Sequence, residues 1–170
     1  MDIEYKVNNG ILIEGIYQGE SFKILFSDLE PYWQYATEED FECGKAKIFD
    51  KYIIANITTA CGQGGIIFVW DLEQKTVVCC FESEYCVDFT FQNKEIYSLH
   101  YVSRWGVSPY FQLRTTKLET GKSDVLSIEL PFDSTIYNGD INSVSMDFLD
   151  NKTLSICFGK NKYLVKTEND

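Results

Sequence analysis

Apolar residues in this chain fall into short runs separated by clusters of Gly, Asn, Asp, Lys and Thr. The runs lie at 11–17, 21–26, 51–57, 66–70, 76–81, 86–91, 96–102, 110–118, 125–130, 143–148, 153–158 and 163–166. β-branched and aromatic residues dominate them, and runs of this length bounded by turn residues predict strands. Close, even spacing of such strands belongs to an all-β sandwich, barrel or propeller. Helix signals are scarce. Thr37-Glu38-Glu39-Asp40 reads as a capping-box start ahead of Phe41, and Gly44 limits the helix expected there to one or two turns. The segments 66–70 and 77–81 are apolar at consecutive positions, which predicts inner strands covered on both faces.

One hairpin pattern recurs. It reads Val7-Asn8-Asn9-Gly10-Ile11-Leu12-Ile13, then Phe49-Asp50-Lys51-Tyr52-Ile53-Ile54-Ala55. It returns as Phe91-Gln92-Asn93-Lys94-Glu95-Ile96-Tyr97 and as Leu149-Asp150-Asn151-Lys152-Thr153-Leu154-Ser155. Each copy has an apolar residue, a short polar turn and a new apolar strand. A second hairpin signal follows two of the copies, at Trp70-Asp71-Leu72-Glu73-Gln74-Lys75-Thr76 and Thr116-Lys117-Leu118-Glu119-Thr120-Gly121-Lys122-Ser123. Two hairpins make four strands, the content of one propeller blade, and the first three copies recur at the roughly 40–45 residues a blade occupies.

On these residues the chain resembles β-propeller proteins of the WD type. Phe68-Val69-Trp70-Asp71-Leu72-Glu73 and Lys117-Leu118-Glu119-Thr120-Gly121-Lys122 look like the outer-hairpin turns of such blades, and the resemblance covers residues 47–130. The chain departs from the pattern in having no Gly-His dipeptide, one Trp-Asp and a shortened last unit. Common propellers also have more blades than 170 residues supply. The resemblance therefore implies a single all-β domain over 1–170, a partial or minimal propeller of antiparallel hairpin units. A twisted β-sandwich of the same hairpins is the alternative.

Charge narrows the partners. Against 15 Lys and Arg stand 26 Asp and Glu, a net −11. Phosphate backbones and anionic lipids repel such a surface, so neither nucleic acid nor membrane is an expected partner; a basic protein is. The start, Met1-Asp2-Ile3-Glu4-Tyr5-Lys6, lacks the basic and apolar regions of a signal peptide, and no apolar run approaches membrane-spanning length. A cytoplasmic location is expected. The six cysteines, Cys43, Cys61, Cys79, Cys80, Cys86 and Cys157, are then expected as reduced, small apolar residues. They form no C-x-x-C pair, and the lone His100 leaves a zinc site short of ligands, so no metal or other cofactor is expected.

No catalytic set emerges. His100 lies inside a strand, in Leu99-His100-Tyr101, and reads as a satisfied strand histidine. Gly62-Gln63-Gly64-Gly65 lacks the Lys and Ser/Thr of a phosphate loop and precedes a strand instead of a helix. The many carboxylates show no pairing that singles out two for acid–base work.

Recognition has better candidates. Between Asp28 and Glu42, the aromatics Tyr32, Trp33 and Tyr35 are interleaved with Glu38, Glu39, Asp40 and Glu42. Rings supply desolvated contact and acids steer a basic partner, although the same rings could instead cap the core. Ser103-Arg104-Trp105-Gly106-Val107-Ser108-Pro109 places Trp105 near a turn tip, and the long connection from Pro131 to Asn142 adds Tyr137 and Asp140. A small, acidic chain without a catalytic set is similar in profile to bacterial toxin-immunity proteins. That similarity implies a non-catalytic module that binds and neutralises a basic toxin such as a nuclease. A small enzyme or ligand-binding β-barrel, with its site at one end of the hairpins, is the alternative.

Overall fold

A computed structural model describes residues 3–33, 38–39, 41–59, 64–83, 85–103, 105–106, 108–131 and 139–167. The fold is all-β, with 3₁₀ turns at Phe26–Asp28 and Ile141–Ser143. Its strands are β1 (Ile3–Asn8), β2 (Ile11–Tyr17), β3 (Glu20–Leu25), β4 (Phe41–Phe49), β5 (Tyr52–Thr59), β6 (Gly65–Asp71) and β7 (Thr76–Ser83). There follow β8 (Cys86–Gln92), β9 (Glu95–Val102), β10 (Tyr110–Lys117), β11 (Ser123–Pro131), β12 (Val144–Asp150), β13 (Thr153–Phe158) and β14 (Asn161–Lys166). They form four antiparallel meanders: sheet 1 is β1-β2-β3, sheet 2 β4-β5-β6-β7, sheet 3 β8-β9-β10-β11 and sheet 4 β12-β13-β14. Among the described residues no sheet closes into a barrel.

The recurring hairpin opens every sheet. Asn9 and Gly10 turn β1 into β2 with φ of 54° and 78°, and Asn93 and Lys94 turn β8 into β9 with φ of 52° and 63°. Two successive left-handed residues match the right-handed twist of the flanking strands, which explains the Asn-Gly and Asn-Lys pairs. A second regularity lies in the backbone. In each sheet the carbonyl of a first-turn residue accepts the amide of the residue that follows the third strand. These bonds run from Phe26 N–H to Gly10 at 3.0 Å, from Leu72 to Lys51 at 2.9 Å, from Leu118 to Lys94 at 2.9 Å and from Thr167 to Lys152 at 3.0 Å. Each satisfies a backbone pair that the end of the ladder would otherwise leave to water.

Two expectations are corrected. The capping-box signal before Phe41 does not lead into a helix, because Phe41–Phe49 is strand β4, paired along its length with β5. Ladder pairing with β5 overrides the local capping preference. Nor is β7 an inner strand. It is the edge of sheet 2, with Val78 41% exposed, whereas β6 is buried throughout.

The chain divides into two compact units, Met1–Tyr85 and Cys86–Asp170. In unit 1, sheets 1 and 2 share a core of Leu12, Ile13, Ile24, Phe26, Leu29 and Trp33 with Ile53, Ala55, Ile57, Ile66, Phe68, Trp70, Leu72 and Val77. Gly65 is obligatory in this packing, since a Cβ there would lie 2.5 Å from the carbonyl oxygen of Ile57. In unit 2, β8 and β12 pack side by side. The ring pairs Tyr97–Phe148 (4.9 Å) and Phe111–Phe158 (4.8 Å) join sheets 3 and 4. Buried Asp88 on β8 accepts the Met146 amide of β12 at 2.7 Å, and Gln92 at the far end of β8 meets Asn151 at 3.1 Å. These contacts at matching ends show that β8 and β12 run in the same direction.

Candidate functional site

The sequence-derived candidates separate into two groups, one in each unit. In unit 1, the chain leaving β3 passes through Phe26–Asp28, where the Asp28 carboxylate accepts the Leu25 amide at 2.8 Å. Two further turns of backbone follow, with the amides of Tyr32 and Trp33 both donating to Leu29. This folding sends Trp33 inward, where it is buried in the core, and leaves Tyr32 51% exposed. Glu38 and Glu39 are exposed, and the Glu38 carboxylate accepts the Gly10 amide at 3.0 Å. Glu42, also exposed, begins β4 beside Phe41, whose ring meets Phe26 edge-on at 6.4 Å. Glu38 thus borders the end of sheet 1 that carries the Asn9-Gly10 turn. Tyr35 and Asp40 lie outside the described residues.

In unit 2, Trp105 and Gly106 form the tip of the loop from β9 to β10, with Gly106 at φ +81°. Trp105 is 103% exposed, so its indole covers no part of the protein. The strands beneath are well anchored: Val102 is buried, and the Tyr101 ring meets Phe111 at a tilt, with centroids 5.8 Å apart. Asp140 caps the Ile141–Ser143 turn, its carboxylate accepting the Asn142 amide at 2.9 Å and its carbonyl accepting the Ser143 hydroxyl at 2.7 Å. That turn packs on β8 and leads into β12. The β9–β10 loop lies at the end of sheet 3 where β8 begins, because Cys86 pairs with His100 and Val102 with Tyr110. Trp105 and Asp140 therefore share one end of unit 2. Tyr137 lies outside the described residues. Half-buried Tyr101 and Tyr110 flank the same loop and were not singled out from the sequence, although the aromatic–Pro109 pattern at the strand mouth was visible.

The remaining chemistry is inward-facing. His100 is buried, with Nε2 2.8 Å from the Ser98 hydroxyl. Cys79, Cys80, Cys86 and Cys157 lie outside any disulfide. Burial pushes the Cys79 thiol up to about 11, and burial with the neighbouring Cys79 and Glu82 pushes Cys80 up to about 12. Both are protonated and weakly nucleophilic at neutral pH. Among the described residues no cluster of His, Cys, Asp and Glu is arranged to hold a metal ion. No helix among them is long and apolar enough to cross a membrane.

The best-developed electrostatic feature ties two turns of sheet 2 together. Asp71 is buried at the end of β6, and its carboxylate accepts the amides of Glu73 and Gln74 at 2.9 Å each and the Lys51 ammonium at 2.9 Å. Burial works against its ionisation. The Gln74 amide, Lys51 and the Glu73 amide outweigh that penalty and hold the carboxyl below its ordinary range. No protein-family model matches the chain, and no curated protein matches it.

Proposed function

We propose that this chain is a cytoplasmic, non-catalytic protein-binding module, an immunity protein that binds and neutralises a basic toxin such as a nuclease. Its sheets are propeller-like, a reading supported by β8 and β12 running side by side in the same direction, as the first strands of neighbouring blades do. The observation that carries the functional reading is Trp105, fully exposed on a loop whose flanking strands are anchored in unit 2. An exposed indole on a rigid base loses little conformational freedom on docking and buries a large apolar area, the profile of an interface anchor. Exposed Glu38, Glu39 and Glu42 and a net charge of −11 supply the steering field for a cationic partner.

Affinity purification from the native host should yield a basic protein whose toxicity this chain suppresses. With that partner purified, Trp105→Ala should chiefly speed dissociation, by the equivalent of about 2 kcal/mol, with the fold unchanged. Replacing Glu38, Glu39 and Glu42 by Gln should chiefly slow association, an effect that salt reduces. A partner bound with both rates untouched by these changes would place the interface elsewhere on the molecule.

A further inference from the structure

Among the described residues, sheets 2 and 3 have four strands each and sheets 1 and 4 have three. The third strands of sheets 2 and 3, β6 and β10, each carry a fourth on their far side, β7 and β11. In sheet 4 the third strand is β14, which pairs with β13 and with no other described strand. Its ladder is regular, from Thr153 opposite Lys166 to Phe158 opposite Asn161. The Thr167 amide donates to the Lys152 carbonyl at 3.0 Å, which makes these two a hydrogen-bonded pair in the same register. Bonded and non-bonded pairs alternate along an antiparallel ladder. Asn161, Tyr163 and Val165 therefore turn their N–H and C=O groups towards β13, and Lys162, Leu164 and Lys166 turn theirs outwards. A regular edge without a bulge is a template for a further strand.

The side chains of the same three residues share one face of the strand. Leu164 is 61% exposed there and both lysines are exposed, whereas Val165 on the opposite face is buried. Lys166 is held along the strand by its ammonium, which donates to the Thr153 hydroxyl at 2.7 Å. Residues 151–167 carry four lysines and no acid, in a chain of net charge −11. On the Leu164 face Asp147 lies two strands away, on β12, beyond Ser155. The lysines discriminate between incoming strands. A second copy of β14 paired about Leu164 would set Lys162 against Lys166, and like charges directly opposite destabilise a sheet. A strand with acids at those positions would gain two opposite-charge pairs instead.

We propose that β14 takes a fourth strand from a partner protein: an extended segment, antiparallel to it, with an acid, an apolar residue and a second acid at alternate positions. The outward N–H and C=O groups of Lys162, Leu164 and Lys166 bond its backbone. The two acids face Lys162 and Lys166, and the apolar residue covers Leu164. Backbone pairing supplies affinity in this mode, and the alternate side chains supply specificity. The added strand stands to β14 as β7 stands to β6 and β11 to β10. This is independent of whether the Trp105 end binds a basic toxin.

Hydrogen exchange of the full chain, read by amide NMR, tests it with the end-blocked peptide TETVTET at about 5 mM and about 0.15 M salt. The amides of Lys162, Leu164 and Lys166 should become protected, while those of Tyr163 and Val165, already bonded to β13, change little. TKTVTKT should leave the three amides unprotected. Lys162→Glu should weaken TETVTET about fivefold, and TETVTKT should restore the affinity, because an antiparallel peptide sets its sixth residue opposite position 162. Should that variant misfold, weaker binding of TETVTKT than of TETVTET to the unaltered chain makes the same comparison. Three amides unprotected by TETVTET, an equal response to TKTVTKT, or rescue by TKTVTET in place of TETVTKT overturns the proposal.

Discussion

In sheet 2 the carbonyl of Lys51 takes the Leu72 amide, and in sheet 3 the carbonyl of Lys94 takes the Leu118 amide. The lysine side chains then reach acids on either side of those leucines, Lys51 to Asp71 at 2.9 Å and Lys94 to Glu119 at 2.9 Å. The distances are equal and the environments are not. Asp71 is 2% exposed and also accepts two amides, whereas both partners of the second pair are more than two-thirds exposed. One short contact is thus the centre of a buried hydrogen-bonded turn, and the other is a solvated surface pair. Distance alone says little about what an ion pair contributes; burial and the donors left behind decide it.

The same contrast separates the tryptophans of the two units. Trp33 is packed in the core of unit 1, so Trp33→Ala should cost about 3–5 kcal/mol in chemical denaturation. Trp105→Ala in unit 2 should leave the denaturation midpoint unmoved, because the indole touches nothing that folding buries. Equal losses for the two would erase the distinction between core and tip.

Next in size is the pair of turns. Asp71→Ala removes a buried carboxylate that accepts two turn amides and the Lys51 ammonium, leaving Lys51 only its longer ion pair with Glu73, and should cost about 2–3 kcal/mol. Glu119→Ala should produce no resolvable change in midpoint. Matching effects would mean that sheet 3 depends on its turn pair as sheet 2 does.

The smallest effect is on pH dependence. The Asp71 carboxyl is held below its ordinary value of 3.8 in the folded chain, so it binds its proton more readily when unfolded. Its contribution to stability is then fully present above that ordinary value and is lost as pH falls through the lower, folded one. Asp71→Asn should differ from the parent at neutral pH and converge with it in strong acid. A difference that stays constant to the acid limit would assign the effect to packing. Glu119 is shifted in the same direction by its hydrogen bond to Lys94, but its exposure lets salt screen the pair.

Much of this architecture is a local property of the chain. Alternating apolar positions and turn chemistry determined the all-β class, most strands to within one or two residues, and the hairpin that opens each of the four sheets. These features depend on residues close in sequence, where side-chain alternation and left-handed Asn, Asp and Gly act directly. Tertiary structure decided which runs became edges. The runs in β6 and β7 are similarly apolar, yet only β6 has neighbours on both sides, because hydrogen-bonded order is not written in hydropathy. It also made Phe41–Phe49 a strand against a local helix-capping signal, through pairing with β5. Among the candidate residues, composition marked Trp33 and Trp105 alike as large and aromatic, and only the packed core told them apart. Trp33 is drawn in by the Leu29 turn, and Trp105 is left exposed at a loop tip. Burial is a sum over residues distant in sequence, so the path of the whole chain was needed to assign it.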